Sequence, residues 1–168
     1  MAEEIVNRVA QSKLKVLDLE EFYPSGQRIS LDIKDWLFQE LVLREKEFRA
    51  HVDAHDWTQY QDNYVALYCS TDAIIPDWAY MLISSKLQPF AKFTVVGSAE
   101  LLDTLLYQRI LDNLEVSDYE GLPVIIKGCS NKPVPLNALN ALTAKLIPVA
   151  RSIMYGEACS AVPLYKRK

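Results

Sequence analysis

KLQPFAKFTVVGSA, residues 86–99, is answered 59 residues later by KLIPVARSIMYGEA, residues 145–158. Lys, Leu, Pro, Ala, Gly and Ala coincide at six of the fourteen positions, where ordinary residue frequencies would give about one. Each stretch ends a helical pattern, turns at proline, and runs through an apolar strand to glycine. Pro76 and Pro135 keep the same offset. Each is a proline at a helix start, where its missing N–H has no partner to lose. The apolar positions Trp78, Ala79, Leu82, Ile83 and Leu87 follow one proline, and Leu139, Leu142 and Leu146 follow the other, at helical spacing. NYVALYC (63–69) and LPVIIKG (122–128) precede them as short apolar runs that suit buried strands. Two βαβ units are therefore expected, at 63–99 and 123–158, as an internal duplication. Between them, Ser98 caps a helix with an apolar stripe at Leu101, Leu102, Leu105 and Leu106.

Alternating strands and helices predict an α/β fold with a mainly parallel sheet. Ahead of this core, LKVLDLEEF and RISLDI alternate around the turn-forming YPSGQ. That pattern reads as an N-terminal β-hairpin extension over residues 14–33. REKEFRAHVDAH (44–55) reads as a charged surface helix anchored by Phe48 and Val52. The expectation is a single α/β domain over 1–168, with the hairpin and this helix in residues 1–62.

Half of the residues are hydrophobic, a quarter are charged, and the formal net charge is −4. This is globular composition with no basic face for nucleic acid. No apolar run approaches the ~20 residues that span a bilayer, and the acidic N-terminal stretch does not resemble a secretory signal. A cytoplasmic protein with neither nucleic acid nor membrane as partner is expected. Its three cysteines are then reduced rather than disulfide-bonded.

All three thiols sit in Cys-Ser dipeptides, Cys69-Ser70, Cys129-Ser130 and Cys159-Ser160. Each follows an expected strand, and in open parallel sheets ligands bind at the carboxyl edge. Thiolates at such an edge suit zinc or an iron–sulfur cluster. Cys69, Cys129 and Cys159 are the expected metal ligands, with Asp72, Glu100, Glu157 or His55 as a fourth. The alternative is a thiol-dependent enzyme acting on a small anionic substrate. Cys129 would then be the catalytic nucleophile, with Ser70, Ser130, Asn131 and Lys132 binding the ligand. A third reading treats the cysteines as small buried residues of a binding or scaffold module. His51 and His55 share a helical face but are more simply solvated. Trp57, Tyr60 and Tyr64 pack a helix on the sheet, and Asp32 and Asp35 cap a helix start.

In HDWTQYQDNYVALYCS (55–70), KGCSNKPVP (127–135) and CSAVPLYKRK (159–168) the chain resembles a small bacterial family known only as a domain of unknown function. The resemblance spans the whole chain. It implies no activity, substrate or catalytic residue. It does imply the company of iron–sulfur assembly genes, so iron–sulfur assembly proteins are expected partners.

Overall fold

A computed structural model describes residues 13–128 and 131–168. Among the described residues, seven strands and four α-helices fall into two sheets and two compact units. Unit 2 is continuous, Ser25–Leu105; unit 1 takes the N-terminal residues to Pro24 and then Leu106–Lys168.

Unit 2 opens with β2 (Arg28–Asp32), a 3-10 turn at Lys34–Trp36, and α1 (Glu45–Ala54). A second 3-10 turn at Trp57–Tyr60 leads to β3 (Tyr64–Tyr68), α2 (Asp77–Leu87) and β4 (Phe93–Val96). The strands lie in the order β2-β3-β4, all parallel. Phe48 and Val52 of α1 and Ile83 and Leu87 of α2 are buried in one core with Leu31, Ile33, Val65 and Leu67. Trp57 and Tyr60 are buried there too, Trp57 with its indole N–H donating to the Val52 carbonyl at 3.0 Å.

Unit 1 repeats this plan. Its sheet runs β1 (Lys15–Asp18), β5 (Pro123–Lys127), β6 (Ser152–Tyr155) and β7 (Val162–Lys166). The first three are parallel, and β7 lies antiparallel to β6. Helix α4 (Leu136–Leu146) crosses from β5 to β6. Helix α3 (Ala99–Asn113) carries the boundary between the units, and its last ten residues stand 59 positions after α1.

The duplication holds to the level of single hydrogen bonds. Tyr64 pairs with Phe93 in β3–β4, and Pro123 with Ser152 in β5–β6, again 59 apart. The N–H of Ala79 donates to the Pro76 carbonyl and that of Ala138 to Pro135, each at 2.9 Å. Gly97 donates to Leu67 at 2.8 Å, and Gly156 to Ile126 at 3.0 Å. Both glycines end a strand with a positive φ, 147° and 116°, which a side chain would resist. The repeat also runs further back than 63 and 123. Phe48 and Val52 correspond to Tyr107 and Leu111, and all four are buried.

The two N-terminal strands are present, with Pro24 and Gly26 between them, but they do not pair with each other. β1 joins β5 and β2 joins β3. Alternation fixes which face of a strand is apolar, not which strand lies beside it. After β1 the chain enters a 3-10 turn at Leu19–Phe22, capped by the Asp18 side chain bonding the Glu20 N–H at 2.9 Å. That turn takes up the residues a hairpin would have spent on pairing. β1 and β2 are instead matched first strands, one for each unit.

Candidate functional site

The Cys-Ser loops were expected at one edge of one sheet. Cys69 follows β3 and Cys159 follows β6, so the thiols are divided between two sheets. Cys129 and Ser130 lie outside the described residues. Their segment follows β5, which is hydrogen-bonded to β6. The Cys129 and Cys159 segments therefore start from neighbouring strands of unit 1.

A cavity of about 150 Å³ lies at that edge, lined by Asp18, Lys127, Gly128, Tyr155, Gly156 and Glu157. Lys127 Nζ is 2.9 Å from Glu157 Oε1. The bond from Glu157 holds the Lys127 ammonium above the ordinary lysine value; slight burial opposes this, and the charges of Glu157, Asp18 and Glu20 add to it. Two carboxylates, Asp18 and Glu157, and one ammonium, Lys127, thus line the pocket, which leaves it a negative excess of one. Glu20 also accepts the Asn131 backbone N–H at 2.9 Å. Lys132 Nζ stands 5.6 Å from the Tyr23 ring centroid. Cys159 is exposed beside Glu157. The Tyr155 hydroxyl donates to the Gly128 carbonyl at 3.4 Å, and its ring also lines an apolar groove of about 620 Å³ against α4.

At the matching edge of unit 2 the carboxylate is held by hydrogen bonds. Asp32 pairs in register with Tyr68 as Asp18 does with Lys127. Its carboxylate accepts the Lys34 N–H at 3.1 Å, the Ser70 N–H at 3.1 Å and the Ser70 hydroxyl at 2.5 Å. Burial pushes the Asp32 carboxyl up, but these bonds outweigh it and hold it below the usual aspartate value. Cys69 is half-buried against the unit 2 core, with Sγ 3.3 Å from Thr71 Oγ1. Burial, then Cys69 and Asp32, push the nearby Tyr80 hydroxyl above its ordinary value. Ser70 therefore serves Asp32. Asp72 and Glu100 are exposed, Asp72 in the loop before α2 and Glu100 in the first turn of α3.

His55 sits in an aromatic nest. Its ring centroid lies 4.7 Å from Trp57, 5.1 Å from Trp36 and 5.7 Å from Tyr60, and Nε2 is 2.9 Å from the Tyr60 hydroxyl. His51 stacks on Trp36 at 6.4 Å. Burial holds His55 below the ordinary histidine value of 6.5, against the opposing pull of Asp56. A histidine kept neutral by folding binds its proton more readily when unfolded. Stability is then full above pH 6.5 and falls as the pH drops below it. The urea midpoint of wild type is expected to decline from pH 6.5 downward, and His55→Asn to flatten that part of the profile. Equal slopes for both proteins would show that the decline has another origin.

Among the described residues, no group of three or more His, Cys, Asp or Glu side chains is arranged to hold a metal ion. Nor is any helix long and apolar enough to cross a membrane. Asp18, Glu20, Lys127 and Tyr155 escape the sequence reading. A signal for the first two was present: LDLEEF (17–22) and LDIKDW (31–36) are the same strand end and turn written twice.

Fold and edge together define an α/β protein of two duplicated units, one with an acidic cavity at its carboxyl edge and one whose matching carboxylate, Asp32, is bonded to Lys34 and Ser70. The chain belongs to the family described as Protein of unknown function (DUF2480), whose model matches residues 3–167. No curated protein and no solved structure matches it.

Proposed function

We propose that this is a cytoplasmic accessory protein that binds a metal ion or an iron–sulfur cluster through the thiolates of its Cys-Ser loops and works with iron–sulfur assembly proteins. Cys129 and Cys159 are the primary donors; Cys159 follows β6 of unit 1, and Cys129 follows β5 in the sequence. Cys69 belongs to the edge of unit 2. The observation that supports this reading is the cavity at the ends of β5 and β6, whose lining holds the carboxylates of Asp18 and Glu157 against the one ammonium of Lys127. Negative excess attracts a cation, and oxygen donors beside thiolates complete a mixed coordination sphere for zinc or iron. The carboxylates of the cavity disfavour the second reading, a Cys129 nucleophile with Lys132 binding a small anionic substrate, because they repel an anion.

The test is metal content of untagged protein after anaerobic reconstitution with zinc, or with iron and sulfide. Wild type is expected to retain metal. Cys129→Ser and Cys159→Ser should each lose it while keeping the wild-type circular dichroism, and Cys69→Ser should keep it. Wild type that takes up neither metal ends the proposal. Loss in Cys69→Ser alone would overturn the assignment to unit 1.

A further inference from the structure

Unit 1 holds an apolar groove of about 620 Å³ between α4 and the strands β6 and β7. Leu136 and Leu139 line it from α4, and Val162 and Leu164 from β7. Ile126, buried in the unit 1 core, and the Tyr155 ring line it as well. Side chains two apart on a strand, or three to four apart on a helix, share a face. Both sides therefore turn apolar residues toward the groove. Leu136, Val162 and Leu164 are 80%, 57% and 51% exposed.

The duplicated architecture does not impose this lining. At 59 positions earlier, Leu136, Leu139 and Asn140 read Asp77, Tyr80 and Met81, and Tyr80 packs against the core of unit 2. Where unit 2 carries a ring, unit 1 carries leucine beside open volume. That volume falls within the roughly 300–1,000 Å³ of small-molecule sites. Ile126 and Tyr155 stand at the carboxyl ends of β5 and β6, the side of a parallel sheet where ligands bind. Nine residues line the groove, against roughly 20–30 on each side of a stable protein–protein interface. A small molecule matches that footprint, and a second copy of the chain does not.

We infer that this groove binds a neutral, largely apolar small molecule that carries an amide-like group. Among the described residues no acidic or basic side chain lines the groove. A charged ligand there would give up its hydration without a counter-charge. Asn137 and Asn140 line it three positions apart on α4, and each carboxamide offers two donors and an acceptor. The hydroxyls of the lining are engaged elsewhere. That of Thr143 donates to the Leu139 carbonyl at 2.8 Å, and that of Tyr155 to the Gly128 carbonyl at 3.4 Å. An amide edge on the ligand meets the asparagines while its apolar body covers Leu136, Val162 and Leu164. The inference stands apart from the metal reading, since the groove and the acidic cavity share only Tyr155.

The test is fluorescence titration of the full chain with the neutral probe N-phenyl-1-naphthylamine, then displacement by benzanilide, a neutral aromatic amide. Saturable binding at one site per chain is expected, and benzanilide should displace the probe. Benzoate and benzylammonium, aromatic but charged, should compete at least about tenfold less well. Leu136→Glu and Val162→Lys alter exposed positions and bring a charge to the groove. Each should weaken the probe at least about tenfold with unchanged circular dichroism. Asn140→Ala should weaken benzanilide about fivefold, the worth of one hydrogen bond, and the probe, which has no amide, less than that. A chain that binds no probe saturably overturns the inference. So does binding indifferent to both charged variants, or displacement by benzoate or benzylammonium as strong as by benzanilide. A wild type that sediments at twice its 19.1 kDa mass and becomes monomeric in Leu136→Glu would also overturn it, by giving the groove to a second copy.

Discussion

Tyr107→Ala is expected to destabilise the protein by about 3–5 kcal/mol, the range for deleting a large buried aromatic side chain. The side chain is fully buried among Leu17, Leu19, Leu142 and Leu146 in the core of unit 1. It also does something its counterpart Phe48 does not. Its hydroxyl donates to the Leu19 carbonyl at 2.9 Å. Leu19 begins the turn after β1, the strand that reaches this sheet from the N-terminal end of the chain, separated in sequence from its partner β5 by all of unit 2. The hydroxyl therefore fastens a remote segment to the core and satisfies a buried carbonyl. Tyr107→Phe keeps the ring and removes the hydroxyl with this bond, so it should cost about 1–3 kcal/mol, the penalty of an unsatisfied buried acceptor. Urea unfolding of both variants separates the two contributions. Faster exchange of β1 amides in Tyr107→Phe would locate the loss. A Tyr107→Phe variant as stable as wild type would show that the Leu19 carbonyl has another partner.

The strands and helices were legible because each carries its own period and its own punctuation. Pro76, Pro135, Gly97 and Gly156 mark boundaries through backbone geometry, and they end the same elements in both units. The duplication was legible only where identities were dense. Further back, Phe48 and Val52 become Tyr107 and Leu111, which preserves burial but not identity. The pairing of β1 and β2 was illegible for a different reason. Their patterns are alike because they are equivalent strands, and equivalence does not say that they are adjacent. The same limit divides the three thiols between sheets. Position after a strand can be read from sequence, but which sheet holds the strand depends on long-range pairing. Asp18 and Asp32 show how one written motif leads to two environments. Ser70 ties up the second carboxylate, while the first borders a cavity.

The repeat serves as its own control for core packing. Ile83 of α2 and Leu142 of α4 stand 59 positions apart, and neither is accessible to solvent. Each projects from the middle of the crossover helix onto the strands it joins, Ile83 in the core with Val65 and Leu67 and Leu142 in the core with Val124 and Ile126. Truncation to alanine removes buried methyl and methylene groups and leaves a void that the neighbouring strand backbones, held in register by their ladders, fill only in part. Ile83→Ala and Leu142→Ala should each cost about 2–5 kcal/mol. Met81 and Leu136 lie on the same helices but are 69% and 80% exposed. Their alanine variants should stay within about 0.5 kcal/mol of wild type, as surface substitutions do. Hydrogen exchange then assigns each loss to a core. Ile83→Ala should weaken protection in β3 and β4, and Leu142→Ala in β5 and β6, because each helix covers only the sheet of its own unit. If either core variant proved as mild as the exposed controls, the helix face assigned to that unit's core would be wrong. If the two losses differed by more than about 3 kcal/mol, the full width of that range, equivalence in register would not extend to equivalence in packing.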